Sequence, residues 1–379
     1  MNEKPKRVLF VATVVKTHIM QFHIPYLKMF KEMGYETVVA ARNDYENPED
    51  CRIPYCDHYV DIPFQREPLR YENLRCYKKL KSIMDEGDFS IIHCHTPVGG
   101  VVGRLAARKA RKKGTRVIYT AHGFHFYKGA PIKNWLLYYP VEKICSYFTD
   151  VLITINQEDF HLAQKKMKAK CVEYVQGVGV DLSKFGKATM ERAAKRRELG
   201  IPEDAVLLLS VGELIARKNH ATGIRAIADI DAYYLIAGEG DLRQQLQGVI
   251  DALGVGNRVK LLGYRSDIQD LYKAADVFVF PSFQEGLPVS VMEAMACGLP
   301  CVASNIRGNT DLLASTEREF LCQPDDISEY SKKLKMLISN AELREKIGQD
   351  NLQAVEKFGM EAVNNKMRTI YDAECAVVG

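Results

Sequence analysis

Long hydrophobic runs are missing from this sequence of 379 residues. Its longest apolar runs, such as VLFVATVV and VFVF, have the length of a strand, whereas a membrane-spanning helix needs roughly 18 or more residues. No small-residue cleavage site follows the charged start MNEKPKR and the first apolar run. We therefore interpret that run as a first strand and not as a signal peptide, and we expect a cytoplasmic protein.

A regular cysteine pattern is also missing, since the ten cysteines include no C-x-x-C. This argues against a disulfide framework and a zinc knuckle, and it predicts reduced thiols. In a strand, His93 and His95 share one face while Cys94 points to the other, so the three side chains cannot ligate one ion. The D-x-D sequence at 229–231 lies at a helix end, far from the motifs described below. We predict no metal site.

Charge is unevenly distributed along the chain. Residues 1–185 hold 29 Lys and Arg against 20 Asp and Glu, a difference of +9, and residues 186–379 hold 23 against 28, a difference of −5. Basic residues concentrate at 70–81 and 104–116, and a helix would place Arg104, Arg108, Arg111 and Lys112 on one side. This side is either a solvated face or a contact for anionic lipid headgroups or a phosphate-bearing acceptor. No nucleic-acid-binding motif accompanies it.

Strand and helix patterns alternate in both halves of the chain, which predicts an α/β fold with two Rossmann-like domains. We place an N-terminal domain at 1–180, a linker in the helix-poor stretch near 177–190, and a C-terminal domain at 190–355. The two parallel sheets are expected to face each other across a cleft. The predicted strands are 7–15, 36–42, 58–62, 90–95, 116–121, 150–155, 206–211, 232–237, 258–262, 277–281 and 300–303. The main predicted helices of the first half are 20–33, 71–84, 98–113 and 134–147.

The segment 281–300, PSFQEGLPVSVMEAMACGLP, has a strand, a glycine-containing loop and a helix that begins near Pro288. The free N–H groups of that helix suit an anion such as phosphate. Glu285 in the loop and Glu293 in the helix suit sugar hydroxyls, which donate hydrogen bonds to carboxylates. One arrangement places Glu293 at a ribose and Glu285 at a transferred hexose. The alternative is a surface helix with two incidental glutamates.

Three further loops follow strands of the second half. In SVGELIARKNH, Gly212 forms the turn, and Arg217 with Lys218 either compensate a leaving diphosphate in place of a metal ion or remain solvated. In LIAGEGDL, Gly238 and Glu239 let the backbone approach a ligand. The loop that begins at Gly263 and Tyr264 is suited to hold a nucleotide base through backbone contacts.

In the first half, His122 follows a strand and is placed for either acid–base chemistry or substrate positioning. The aromatic stretch 124–140, FHFYKGAPIKNWLLYYP, is either helix core or a loop for an acceptor, including a lipid-linked one.

Together, GEL-x-x-R-K-N-H, AGEG and PS-x-x-EGLP-x-x-x-x-EAMACGLPCVAS resemble the retaining sugar-nucleotide glycosyltransferases of family 4, which have the GT-B fold. AHGFHFYKGAP is similar to the bacterial exopolysaccharide and capsule branch of that family. The resemblance implies that Arg217 and Lys218 hold the donor diphosphate, that Glu293 holds the ribose and that Glu285 holds the sugar ring. It further implies backbone contacts from Gly286 and Leu287, and a place beside the transferred sugar for His122. It also implies that the domain at 1–180 binds the acceptor and that the domain at 190–355 binds the nucleotide-sugar donor. A final helix, about 358–379, is expected to pack on the first domain.

The loop after the first strand departs from the family. A glycine pair is frequent there, whereas ATVVKTHIMQFHIP contains no glycine, so its backbone cannot approach a ligand in the same way. Lys16, Thr17 or His18 are the available substitutes.

We therefore predict transfer of a hexose or N-acetylhexosamine from a nucleoside-diphosphate sugar, with UDP as the expected nucleotide and no cofactor or metal. The expected acceptor is a sugar, either free or linked to a polyprenyl diphosphate, at the inner face of the cytoplasmic membrane. The alternatives are a sugar-nucleotide epimerase and a non-catalytic sugar-nucleotide binder. A dinucleotide-dependent oxidoreductase would need G-x-G-x-x-G after the first strand, which ATVVKTH lacks.

Overall fold

The computed structural model describes residues 6–65, 67, 70–185, 190–313 and 317–378. The chain divides into two compact units. The first unit comprises Met1–Gly179 and Val363–Gly379, and the second comprises Val180–Ala362. Residues 186–189 of the predicted linker lie outside the described residues.

The first unit is built on a sheet of seven parallel strands in the order β3-β2-β1-β4-β5-β6-β7. The strands are β1 (Arg7–Val14), β2 (Glu36–Arg42), β3 (His58–Asp61), β4 (Ile91–His95), β5 (Arg116–Ala121), β6 (Val151–Thr154) and β7 (Cys171–Tyr174). Strand β7 was not predicted from the sequence, because this short edge strand is only half-buried and lacks an apolar run.

Side chains of β1 are buried on both faces of this sheet. Leu9 and Val11 belong to one apolar cluster, and Val8 and Phe10 belong to the other. Such two-sided burial explains why the strand sequence is continuously apolar instead of alternating.

Helices cover both faces. Those of the first unit are α1 (Met20–Phe22), α2 (Ile24–Glu32), α3 (Glu72–Glu86), α4 (Pro97–Ala106), α5 (Arg108–Lys112), α6 (Ile132–Ser146) and α7 (Gln157–Lys166). A π-helical turn, Val15–Ile19, precedes α1, and a 3-10 turn spans Pro48–Asp50. The predicted helix 20–33 is therefore interrupted at His23, where α2 starts with a proline in its first turn.

The predicted basic helix 98–113 was wrong in two respects. It is divided at Ala107 into α4 and α5. Arg104 does not share a solvated face, because its side chain is fully buried and its Nη2 donates to Glu142 Oε2 at 2.8 Å. Its guanidinium also lies 3.7 Å from the centre of the Tyr119 ring. A buried arginine of this kind requires a paired carboxylate.

The second unit contains six parallel strands in the order β10-β9-β8-β11-β12-β13. The strands are β8 (Leu207–Val211), β9 (Tyr233–Ala237), β10 (Val259–Gly263), β11 (Val277–Phe280), β12 (Cys301–Ser304) and β13 (Leu321–Cys322). The two-residue β13 was not predicted, since it is too short to produce a periodic pattern.

The helices of the second unit are α8 (Leu182–Phe185), α9 (Arg192–Leu199), α10 (His220–Ala226), α11 (Arg243–Ala252), α12 (Ile268–Ala274), α13 (Val289–Ala296), α14 (Asn309–Leu312), α15 (Ile327–Ile338) and α16 (Ala341–Ala354). Short 3-10 turns occur at Ala216–Lys218, Arg318–Phe320 and Glu356–Phe358. Helix α8 lies in the stretch that was expected to be helix-poor.

The final helix, α17 (Met360–Val378), contributes its residues from Val363 onward to the first unit. Val363, Met367 and Ile370 join the apolar cluster that contains Phe10. The hydroxyl of Tyr371 lies 2.8 Å from His93 Nδ1. None of the helices in the described parts of the chain combines the length and apolar character of a membrane span.

The predicted fold class is confirmed. Each unit is a Rossmann-like α/β domain with a parallel sheet, and the strand order 3-2-1-4-5-6 is common to both sheets.

Candidate functional site

The loops after three adjacent strands of the second unit are bonded to one another. Gly212 N–H donates to the Ala237 carbonyl at 3.0 Å, and Gly238 N–H donates to the Gly263 carbonyl at 2.9 Å. A Cβ at Gly238 would lie 1.9 Å from the Gly212 carbonyl oxygen. Only glycine permits this approach, so the predicted donor loops are held together at the carboxyl edge of the sheet.

The two predicted cations are presented by the 3-10 turn Ala216–Lys218. Asn219 ends this turn with a left-handed φ of 53°, and its Nδ2 donates to the carbonyls of Pro281 and Pro324 at 3.0 and 2.7 Å. The Arg217 carbonyl accepts from Phe283 N–H at 2.8 Å. These bonds fix the cations against the loop that carries Glu285.

The carboxylate of Glu285 is bound by both cations. Its Oε1 accepts from Arg217 Nη1 at 2.7 Å, from Lys218 Nζ at 2.9 Å and from Ser282 Oγ at 2.6 Å. The side chains of Glu285 and Lys218 are only 10% and 12% exposed, whereas that of Arg217 is 40% exposed. The structure thus brings together three residues that were predicted to bind different parts of a sugar nucleotide.

Glu293 lies inside α13, and the hydroxyl of Tyr272 lies 3.0 Å from its Oε2. The same hydroxyl is also 3.0 Å from the Ser290 carbonyl. Burial raises the pKa of Glu293 to about 7, against the opposing effects of the Tyr272 hydrogen bond and the charge of Lys184. Burial therefore favours the protonated form of this carboxyl group more than in an exposed glutamate.

The loop at Gly286 and Leu287 is closely packed against Gly308. Gly308 has a φ of +83°, and a Cβ there would lie 2.4 Å from the Gly286 carbonyl oxygen. Arg307 Nε donates to the Glu285 carbonyl at 3.1 Å. Helix α13 begins two residues beyond Leu287, at Val289, so its free N–H groups adjoin this loop.

Glu239 and Tyr264 lie at the outer part of the same edge, and the side chain of Tyr264 is 76% exposed. This exposure leaves the ring accessible, which is consistent with a loop that meets a nucleotide base.

His122 is the one predicted site residue that lies in the first unit. It follows β5 and packs among His18, His23 and His95, with ring centroids 4.8 Å apart for His18 and His122. Burial lowers the pKa of His122 to about 4, so its imidazole is neutral at pH 7. It can exchange hydrogen bonds, but it is not a permanent cation.

Several residues of these sites were not predicted from the sequence. Ser282 and Tyr272 contact the two glutamates, and Asn219 fixes the cationic turn. Ser282 stands inside the PS-x-x-EG motif, which is a usable signal. Asn219 likewise stands inside the GEL-x-x-R-K-N-H motif, whereas Tyr272 lies outside the quoted motifs and gives no signal.

Two family models match the chain. "Glycosyl transferase 4-like" matches residues 7–156, and "Glycosyl transferases group 1" matches residues 191–353. EpsD from Bacillus subtilis (strain 168) is 40% identical over 375 residues, which cover 97% of each chain. The chain is a glycosyltransferase of the GT-B type. It belongs to the exopolysaccharide and capsule branch.

This glycosyltransferase is also similar to an Escherichia coli enzyme named UDP-Gal:alpha-D-GlcNAc-diphosphoundecaprenol alpha-1,3-galactosyltransferase. The identity is 32% over 278 residues, which cover 69% of this chain and 71% of that one. Among solved structures, HepE from Anabaena in complex with UDP and glucose has a TM-score of 0.80 and 20% identity. The match covers 97% of this glycosyltransferase and 100% of HepE.

Proposed function

We propose that this glycosyltransferase moves a hexose or N-acetylhexosamine from a UDP-sugar to a sugar acceptor linked to a polyprenyl diphosphate. We further propose that the transfer retains the anomeric configuration and uses no metal ion at the donor diphosphate. The observation that supports this most directly is the pairing of Arg217 and Lys218 on a single oxygen of Glu285.

Without a donor, the Glu285 carboxylate balances part of the charge on Arg217 and Lys218. A diphosphate has stronger anionic oxygens, and the planar fork of Arg217 and the ammonium of Lys218 suit it. In the proposed complex both cations turn to the diphosphate. The carboxylate of Glu285 is then released to accept hydrogen bonds from hydroxyls of the transferred sugar.

The nucleoside end of the donor is assigned to Glu293 and to the loop at Gly263 and Tyr264. Glu293 lies in α13 and is held by Tyr272, so its carboxyl group is positioned before a ribose arrives. A preorganised acceptor of this kind lowers the entropy that binding costs. The loop amides of Gly286 and Leu287, with the N-terminus of α13, are assigned to phosphate oxygens.

Cleavage of the donor develops negative charge on the leaving diphosphate. Arg217 and Lys218 stabilise that charge where it forms, which is the role a divalent metal would otherwise have. The leaving oxygen accepts the proton of the acceptor hydroxyl on the same face, and this gives retention. From the first unit, His122 is assigned the role of a neutral hydrogen-bond partner of the substrate.

The donor and acceptor classes are supported by the relatives. HepE was solved with UDP and glucose, and the Escherichia coli relative is named for UDP-galactose and a diphosphoundecaprenol acceptor. An epimerase, the alternative weighed from the sequence, would need no acceptor.

Contact with an anionic membrane is proposed through α6. Four of its apolar side chains, Ile132, Leu136, Leu137 and Ile144, are between 50% and 77% exposed. Lys133 on the same helix is exposed as well, and Arg108 lies 5.4 Å from the ring of Phe148, just after α6. Exposed apolar groups beside cations are typical of a helix that lies in a lipid interface.

The test is an assay with UDP-sugars and a polyprenyl-diphosphate-linked sugar, followed by determination of the product linkage. Acceptor-dependent formation of a glycoside with the donor's anomeric configuration is expected. Conversion of the donor without an acceptor would indicate the epimerase instead, and UDP binding without any turnover would indicate a non-catalytic binder.

A further inference from the structure

Four histidines form a compact group at the carboxyl edge of the first sheet. His18 and His23 come from the loop after β1, His95 ends β4, and His122 follows β5. Each can offer one ring nitrogen to a common point, and these four nitrogens all lie within 4.8 Å of one another.

Six ring nitrogens in this group are buried and have no hydrogen-bond partner among the described residues. They are both nitrogens of His23, both nitrogens of His95, Nε2 of His18 and Nε2 of His122. Unsatisfied buried polar atoms cost stability, and native structures contain few of them. A concentration of six at one place therefore indicates that a ligand completes the group.

The neighbouring His93 shows the ordinary arrangement for a buried histidine. Its two ring nitrogens lie 2.8 Å from the hydroxyls of Tyr371 and Thr120. The other four histidines have no such hydroxyl partners, although they lie in the same core.

We propose that His18, His23, His95 and His122 bind one divalent transition-metal ion, for which Zn²⁺ is the expected occupant. Neutral imidazole is a ligand that suits zinc and its neighbours in the first transition row. The group contains no carboxylate and no thiol, so it does not suit calcium or magnesium.

The dimensions of the group fit tetrahedral coordination. Zn–N bonds of 2.0–2.1 Å place the ligand nitrogens about 3.4 Å apart. The ring centroids are 4.8 Å apart for His18 and His23 and 3.8 Å apart for His23 and His95. The four ligand nitrogens lie within 4.8 Å of one another, so they must move closer together to reach that distance.

The space beside the rings also fits a single ion. A cavity of about 10 Å³ adjoins three of the rings: its lining includes His23, His95 and His122, but not His18, together with Thr120 and several apolar residues. This volume is about that of one water-sized occupant.

The site accounts for the loop without glycine that follows β1. The π-helical turn Val15–Ile19 and helix α1 place His18 and His23 over the ends of β4 and β5. π-Helical turns are rare and are frequently found at functional sites. An ion bound by all four histidines would fix this loop to the edge of the sheet. Because the four imidazoles fill its tetrahedral coordination, the ion would have no open coordination position for catalysis.

The ion would also position His122. Ligation through Nε2 leaves the proton on Nδ1, which then donates a hydrogen bond in one fixed tautomer. The fixed tautomer of His122 affects transfer only through the contact with the substrate that the proposed function assigns to it. Metal binding itself does not rest on the proposed function. The four histidines all belong to the first unit, whereas Arg217, Lys218 and Glu285 belong to the second.

The test uses the full chain without a polyhistidine tag, stripped with a chelator that is then removed. Titration calorimetry with Zn²⁺ should give one ion per chain, and Co²⁺ should give the intense visible absorption of a tetrahedral site. Excess Zn²⁺ at about a hundredfold over its Kd should raise the melting temperature by about 5–10 °C.

The variants His18→Gln and His95→Gln should lose the Co²⁺ absorption and the melting shift. His161→Gln, which changes an exposed histidine outside the group, should retain both. If a ligand variant does not fold, the stoichiometry and spectrum of the wild-type protein decide. Absence of the Co²⁺ bands in the wild-type protein, or equal Zn²⁺ binding by folded ligand variants, overturns the proposal. UDP binding to the second unit is measured in a separate experiment, so a failure of the proposed function can be distinguished from a failure of the proposed metal site.

Discussion

The ammonium of Lys218 lies 2.9 Å from Oε1 of Glu285, and both side chains are nearly buried. Arg217 approaches the same oxygen at 2.7 Å. Two cations share one anion, so the three side chains together have a net charge of +1. An incoming diphosphate must replace Glu285 as the partner of Arg217 and Lys218. This exchange predicts that substitutions of Glu285 and of Glu293 have different effects.

Glu285→Gln should separate binding from transfer. The amide retains the size of the side chain but removes the negative charge that competes with the diphosphate, so the affinity for UDP should rise. Transfer should fall by about 10²–10³-fold, because the sugar loses its charged hydrogen-bond acceptor. Calorimetry with UDP and an acceptor-dependent assay measure the two effects. Glu203→Gln, an exposed change in the same unit, is the matched control, and weaker UDP binding by Glu285→Gln would contradict the exchange.

Glu293 should make stability depend on pH. Its pKa is raised from 4.5 to about 7 in the folded protein. As the pH rises from 4.5 to 7, the unfolded chain releases this proton while the folded protein keeps it, so the free energy of unfolding falls. Relative to Glu293→Gln, the wild-type protein should lose about 3 kcal/mol between pH 4 and pH 9.

Urea unfolding of the wild-type protein and of Glu293→Gln between pH 4 and pH 9 measures the difference between their free energies of unfolding. The contributions of the other titrating groups are the same in both proteins and cancel in this difference. A difference that does not change with pH would show that Glu293 has an ordinary pKa.

For ligand binding, Glu293→Ala should weaken the affinity for UDP, since the ribose loses its hydrogen-bond partner.

Arg104→Ala should be strongly destabilising. Arg104 is fully buried, and its removal leaves the mostly buried Glu142 without its charged partner. The expected loss in the free energy of unfolding is about 3–5 kcal/mol. The double variant Arg104→Met, Glu142→Leu should recover most of it, whereas exposed Lys109→Ala should change it by about 0.5 kcal/mol or less. A small effect of Arg104→Ala in denaturant unfolding would contradict the assigned burial.

The double variant Leu136→Asp, Ile144→Asp should weaken binding to vesicles that contain an anionic lipid. Both side chains are exposed on α6, so the fold should be unaffected while the apolar contact is replaced by repulsion. Sedimentation with vesicles should show at least a tenfold loss relative to wild type. Leu253→Asp, in the second unit, serves as the control. Equal loss in the control, or wild-type binding that does not respond to salt, would count against the proposed surface.

The sequence was sufficient to predict the two sheets because their central strands are short, apolar and rich in β-branched residues. It did not predict β7 or β13, where one strand is only half-buried and the other has two residues. It also placed Arg104 on an accessible basic side of a helix, either solvated or in contact with an anionic group, because the partner that allows its burial, Glu142, is 38 residues away.

The same limit applies to the sites. The loops at Gly212, Gly238 and Gly263 could be grouped from the sequence, since the carboxyl ends of neighbouring parallel strands meet at one edge. The bond between Glu285 and Lys218 joins residues 67 positions apart, and no local pattern indicates it. The histidine group was missed for the same reason, because His95 and His122 become neighbours only through the pairing of β4 with β5.

The most direct test of the account is calorimetric binding of UDP and of uridine in EDTA, for the wild type and for Arg217→Ala, Lys218→Ala. We expect UDP to bind the wild type at least about tenfold more tightly than uridine without metal, a difference of about 1.4 kcal/mol or more. That difference should disappear in the double variant, while exposed Arg225→Ala keeps it. Equal affinity of the wild type for UDP and uridine, or UDP binding that appears only when Mg²⁺ is added, would contradict binding of the diphosphate by Arg217 and Lys218.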